Sequence, residues 1–153
     1  MTPFPAEPGM WKDYADNHTG YCVGFNPKIL FSDEARFGRA GMVEYYPEEL
    51  PIIHPNEHWL EKTHKQVFSK RAKFEYEKEY RLLKSYENEE GPLSKLRIAI
   101  VPEAAFVEVI IGVNIPETWK NEIFEVMAVS FPNIPLKQAR ITAENTIEIE
   151  NLY

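Results

Sequence analysis

Apolar and polar residues alternate along this chain in short stretches, and each stretch predicts a short element. The first nine residues hold Pro3, Pro5 and Pro8 and predict an extended, flexible N-terminus over 1–9. Met10 to Asp16 suits a short helix with Trp11, Tyr14 and Ala15 on one face, and Gly20 is a stop signal after it. Tyr21 to Phe25 is a compact apolar run that predicts a buried strand. Pro27 opens a helical turn through Leu30, and Ser32 to Ala40 reads as a loop or short helix. Met42 to Tyr46 predicts a second strand, after which Pro47, Pro51 and Pro55 break the chain. From Asn56 as N-cap, Trp59, Leu60, Thr63 and Val67 mark an amphipathic helix ending near Ser69.

Phe74 to Leu83 fits two periods. As a strand it sets Glu75, Glu77, Glu79 and Arg81 on one face; as a helix it sets Glu77 four residues before Arg81. The β-rich second half favours a strand from about Glu79. Tyr86 to Pro92 reads as a loop. Arg97 to Val101 and Val107 to Ile111 read as strands around a turn at Pro102 to Ala105. Pro116 to Val126 predicts a helix with Trp119, Ile123 and Val126 on one face. Ala139 to Thr142 and Ile147 to Ile149 close the chain as strands, the latter alternating with solvated Glu148 and Glu150. The sum is an α+β fold: a twisted, mostly antiparallel sheet with short flanking helices, in a single domain over 10–153.

Composition narrows the function classes. With 153 residues, 44% hydrophobic and 27% charged, the chain can bury a real core. A net charge of -7 argues against a broad nucleic-acid footprint and leaves only a local basic patch at Lys65, Lys70, Arg71 and Lys73. The one cysteine, Cys22, excludes an intramolecular disulfide and reads as a small core residue. No stretch has the length of a membrane span, and no secretory leader opens the chain, so the cytoplasm is the expected location and no membrane partner is expected.

Two blocks carry candidate chemistry. In the acidic ladder, one glutamate could stabilise a cationic, oxocarbenium-like transition state while its neighbour orients a nucleophile. The plainer reading is a solvated edge with Arg81 bridging two carboxylates. In the first block, Trp11, Tyr14, Asn17 and His18 read as ligand-binding residues lining a cleft. The plainer reading is an aromatic anchor and a polar helix end. His54, His58 and His64 lack metal-binding spacing, and no metal site is expected. Nucleotide-cradling glycine motifs and serine-nucleophile elbows are absent.

The run Trp11-x-x-Tyr14-Ala15-Asp16-Asn17-His18-x-Gly20-x-Cys22-x-Gly24-Phe25 resembles the W-x-H-Y-A-x-x-H-x-G-x-x-x-G-F signature of the bacterial domain-of-unknown-function family 2971 (DUF2971). Phe74-x-Tyr76-Glu77-x-Glu79-Tyr80-Arg81-Leu82 is similar to that family's W-x-Y-E-x-E-x-R segment, and Pro102 to Gly112 resembles its following turn and strand. Asp13 stands where the family has His, and Phe74 where it has Trp. The resemblance implies a longer N-terminal segment with K-Y-R-like and F-N-D-P-F-like motifs, so the chain reads as the C-terminal two-thirds of a member. It also implies a role in antiphage defence. Analogy with ADP-ribosyltransferases makes Glu77 and Glu79 the catalytic pair, Arg81 a ligand-binding residue and NAD the cofactor. Two alternatives stand beside this: a noncatalytic interaction, immunity or sensor module with a protein partner, using aromatic surface at Trp11, Tyr45 and Tyr46; and a homodimer built on ion pairs from Glu77 to Arg81.

Overall fold

The computed structural model describes residues 1–32, 39–84 and 101–152. The expected loop at Tyr86 to Pro92, nearly all of the strand at Arg97 to Val101, and most of the Ser32 to Ala40 segment lie outside those residues. The chain divides into two compact units, Met1–Phe4 with Arg36–Ile98, and Pro5–Ala35 with Ala99–Tyr153. The elements are α+β with mostly antiparallel strand pairs, as the alternating pattern predicts.

The second unit is a four-stranded sheet with a helix on each face. Its strands are β1 (Tyr21–Phe25), β6 (Phe106–Ile111), β7 (Leu136–Ile141) and β8 (Ile147–Asn151), in the order β1-β6-β7-β8. β1 pairs antiparallel with β6, β6 parallel with β7, and β7 antiparallel with β8. The parallel step requires a crossover, which α4 (Glu117–Ser130) supplies. Ile110 and Ile111 are both fully buried, and as neighbours in a strand they point to opposite faces. Ile110 packs with Trp11 of α1 (Pro8–Tyr14), Ala139 and Ile147. Ile111 packs with Met127 of α4, Ile115 and Leu136. A short helix α2 (Pro27–Leu30), capped by the Asn26 side chain, follows β1.

Two helical faces differ from expectation. α1 spans Pro8 to Tyr14 rather than Met10 to Asp16, and its last residue, Tyr14, is 59% exposed where Trp11 is 3% exposed. The helix ends because Asp16, Asn17 and His18 all take left-handed backbone, with φ of 44°, 52° and 69°. On α4 the buried stripe is Ile123, Phe124 and Met127, so Val126 rotates outward, and Trp119 in the first turn is also exposed. β1 keeps its expected bounds but is an edge strand, half-buried beyond an exposed Tyr21.

The first unit holds two strand pairs: β2 (Arg39–Met42) antiparallel with β5 (Tyr80–Leu83), and β3 (Glu44–Tyr46) parallel with β4 (Ser69–Arg71). The expected strand Met42 to Tyr46 therefore divides at buried Val43, whose N–H is donated to the Glu79 carbonyl at 2.9 Å. α3 (Trp59–Phe68) connects the parallel pair; its N-cap is His58, not Asn56, with Nδ1 accepting from the Leu60 N–H. Phe68 is its buried anchor, while Trp59 is exposed. Met1 exchanges two hydrogen bonds with the Tyr80 backbone.

The left-handed turn fixes how α1 meets the sheet. The Gly112 N–H is donated to the Gly20 carbonyl and the Asn114 N–H to the His18 carbonyl, both at 2.9 Å. A Cβ on Gly112 would sit 2.7 Å from the His18 carbonyl carbon and 2.8 Å from the Gly20 oxygen, distances that force backbone to move. Gly112→Ala is expected to destabilise the protein by about 2–4 kcal/mol. A urea midpoint equal to the parent's would show that this contact does not constrain the fold.

Candidate functional site

The acidic block does not form a ladder. Residues Ala72–Glu77 make a 3-10 helix, Lys78 follows in the left-handed region at φ 44°, and β5 starts at Tyr80. The strand expectation holds only from there. Glu75 is consequently exposed and pairs with Lys78 at 2.9 Å, while Glu77 turns inward and is 2% exposed. The side chains of Glu77 and Glu79 meet at one ammonium: Lys70 Nζ lies 2.5 Å from Glu77 Oε2 and 3.2 Å from Glu79 Oε2.

Arg81 closes the cluster. Its Nε and Nη2 are donated to the two Glu79 oxygens at 2.6 and 2.9 Å, a bidentate pair, and its Nη1 to the Val67 carbonyl. The Glu79 N–H is donated to the Tyr45 hydroxyl at 2.8 Å, and Tyr45 stands opposite Lys70 in the β3–β4 register. Lys70 and Lys73 both lie over the Phe74 ring. The Arg81 guanidinium, then the Lys70 ammonium, hold the Glu79 carboxyl at about 2 against its usual 4.5, with partial burial opposing them. Glu79 in turn raises Arg81. The helix-based pairing of Glu77 with Arg81 gives way to Glu77 with Lys70 and Glu79 with Arg81. These bonds lie within one chain. Lys70 is neutralised here, and Lys65 pairs with Glu57 at 2.5 Å, which removes two members of the expected basic patch.

The other predicted residues lie in the second unit, apart from this cluster in the division of the chain. Trp11 belongs to the core, its indole N–H donated to the Pro5 carbonyl at 2.6 Å, so it adds nothing to an aromatic surface with Tyr45 and Tyr46. Tyr14 and Asn17 are exposed, and the Asn17 carbonyl accepts from the Asn114 side chain at 3.1 Å. His18 is half-buried, and its buried Nδ1 has no hydrogen-bond partner among the described residues. Cys22 packs against the Trp11 cluster, where burial and then Glu108 push its thiol up. Among the described residues no three His, Cys, Asp or Glu stand together as metal ligands, and no helix is long and apolar enough to cross a membrane.

A third feature was not legible from the motifs. An open cleft of about 340 Å³ lies on the α4 face of the second unit, beside β1. Tyr21 and Val23 of β1, Phe106 and Val109 of β6, and Ile123, Val126 and Met127 of α4 line it, with Phe131 and Ile134 behind. Among the described residues Glu122 is the ionised side chain of the lining. The cleft exists because α4 covers β6 and β7 and leaves the same face of β1 open. The only sequence signal for it is the apolar surplus on α4, where Trp119, Val126 and Val129 exceed what one buried stripe uses.

Residues 10–82 match the family model described as protein of unknown function (DUF2971). No curated protein and no solved structure matches the chain. The DUF2971 match takes in α1, β1 and α2 of the second unit and the first unit through Leu82. It does not extend to the resemblance expected at Pro102 to Gly112. Within the matched stretch, the Asp16-Asn17-His18 run builds the left-handed turn, and Glu77, Glu79 and Arg81 build the charge cluster.

The cluster generates two expectations. Lys70→Met removes the ammonium paired with the buried Glu77 carboxylate and should cost about 3 kcal/mol, much of it recovered in Lys70→Met with Glu77→Gln; an additive double mutant in urea unfolding would exclude the pairing. Because folding lowers the Glu79 pKa, its stabilisation is present above the ordinary 4.5 and is lost as pH falls from there toward 2. Melting temperature should therefore drop across that window more steeply in the parent than in Glu79→Gln. Parallel profiles would remove Glu79 from the acid response.

Proposed function

We propose that the chain is a noncatalytic interaction module that receives an apolar group in the cleft beside β1. The supporting observation is the cleft itself: about 340 Å³, walled by aliphatic and aromatic side chains, with Glu122 and the phenol of Tyr21 as its polar groups. That is the size and chemistry of a site for one bulky apolar group. The lining lacks a general base paired with a nucleophile, so its chemistry is recognition.

The NAD-using, ADP-ribosyltransferase-like reading rests on a different observation, the meeting of Glu77 and Glu79 at Lys70. A carboxylate acting on a cationic transition state must present a free oxygen to it. Both Glu79 oxygens are already engaged by Arg81, and Glu77 is closed in with Lys70. This arrangement suits an electrostatic anchor better than a catalytic pair. The defence role implied by the resemblance is compatible with either reading.

The first test uses anilinonaphthalene sulfonate as an apolar probe. The parent should bind it with enhanced fluorescence, and Val126→Trp, which fills the cleft from an exposed position, should weaken binding by about tenfold. Equal binding by both proteins would remove the cleft reading. Labelled NAD should be neither hydrolysed nor transferred by the parent; turnover that disappears in Glu79→Gln would favour the enzyme instead.

A further inference from the structure

The backbone register of β1 supplies a second property of the same place. Gly20 and Gly112 are joined by a backbone hydrogen bond, as are His18 and Asn114. Antiparallel pairing alternates, so Cys22 and Gly24 continue that series toward Ile110 and Glu108. Tyr21 and Val23 then turn their N–H and C=O away from β6. Val109, opposite Val23, does the same on its side, donating its N–H to Pro135. Among the described residues nothing hydrogen-bonds the outward groups of Tyr21 and Val23. Their side chains are the two that β1 contributes to the cleft.

The two edges of this sheet are treated differently. β8 carries Glu148 and Glu150, charges that discourage another strand from pairing. β1 reads Tyr-Cys-Val-Gly-Phe, without a charge or a proline. An unguarded edge with an apolar cleft along one face has the form of a strand-addition site. A strand paired antiparallel to β1 places the residues opposite Tyr21 and Val23 with N–H toward β1 and side chains over the cleft. Glu122 at the rim favours a cationic neighbour.

We propose that β1 accepts an extended peptide from a partner protein, a segment alternating bulky apolar residues with polar ones and carrying a lysine or arginine, whose apolar side chains enter the cleft. This rests on the cleft reading above and adds the backbone to it.

The probe is a fluorescein-labelled peptide, Thr-Phe-Thr-Phe-Thr-Lys, followed by anisotropy against the full chain. The parent should bind it, and Val126→Trp should weaken it by about tenfold. N-methylation of the two Phe residues should weaken binding by at least about tenfold, while N-methylation of the flanking Thr residues, whose N–H groups face away, should leave it within about twofold. Equal effects of the two methylations would overturn strand addition, as would failure of the peptide to bind a protein that still binds the naphthalene probe. Loss of both ligands would instead sink the cleft reading itself. Glu122→Gln should lower affinity for the lysine peptide but not for its neutral counterpart; equal affinities would overturn the cationic requirement. Sedimentation without peptide should give a monomer, and a dimer abolished by Val126→Trp would assign the edge to a second copy of the chain and overturn the foreign-peptide proposal.

Discussion

The second unit depends on one backbone arrangement, the left-handed turn at Asp16, Asn17 and His18 and its attachment to Gly112 and Asn114. Three successive residues at positive φ are costly for most side chains, but Asp, Asn and His are among the types that tolerate this region best. The turn is also closed on itself: Asn17 N–H is donated to Lys12, His18 N–H to Trp11 and Gly20 N–H to Ala15. Its outward carbonyls are met by Asn114 and Gly112. The strain is thus offset by hydrogen bonds on both sides. The product is a fixed geometry in which Trp11 lies on one face of the sheet and β1 starts in register with Ile111.

That register decides the rest. Moving β1 by one residue would exchange the faces of Tyr21 and Val23 with those of Cys22 and Gly24. The Trp11 cluster would lose Cys22, and Glu108 would no longer face a glycine, whose missing Cβ leaves room for the Glu108 side chain. The same shift would hand the outward N–H and C=O groups, and the cleft face with them, to Cys22 and Gly24, which offer the cleft far less apolar surface. Core packing and the character of the free edge therefore share a single cause.

Much of this was legible as local pattern. The bounds of β1 follow from the compact apolar run between Gly20 and Asn26, α2 from Pro27, and β8 from alternating glutamates, though it runs two residues beyond the expected Ile149. The failures share a physical origin in distant partners. Alternation at Glu75, Glu77 and Glu79 looks like a strand, yet Glu77 is drawn inward by Lys70, and the chain reaches that position through a 3-10 turn and a left-handed Lys78. Met42 to Tyr46 reads as one strand because nothing local reveals that its halves pair with β5 and β4. At the motif residues the fold makes arrangements that spacing alone does not reveal. Asn17 and His18 stand out in sequence, but in this fold their backbone conformation accounts for the residue types.

The two candidate sites differ in what they leave unsatisfied. In the charge cluster Arg81 donates to Glu79 and Val67 and Lys70 to Glu77 and Glu79, all within the first unit, and a ligand would have to displace partners already in place. Breaking a compensated buried pair exposes a charge to an apolar surrounding, so such clusters resist ligand exchange. At β1 the balance is reversed. Apolar walls face an open cleft, and among the described residues nothing hydrogen-bonds the outward backbone groups of Tyr21 and Val23. Binding there removes apolar surface from water and pairs idle donors and acceptors at once, with nothing to displace but solvent. Recognition at the edge strand, as proposed, would therefore break fewer existing bonds than recognition at the acidic motif.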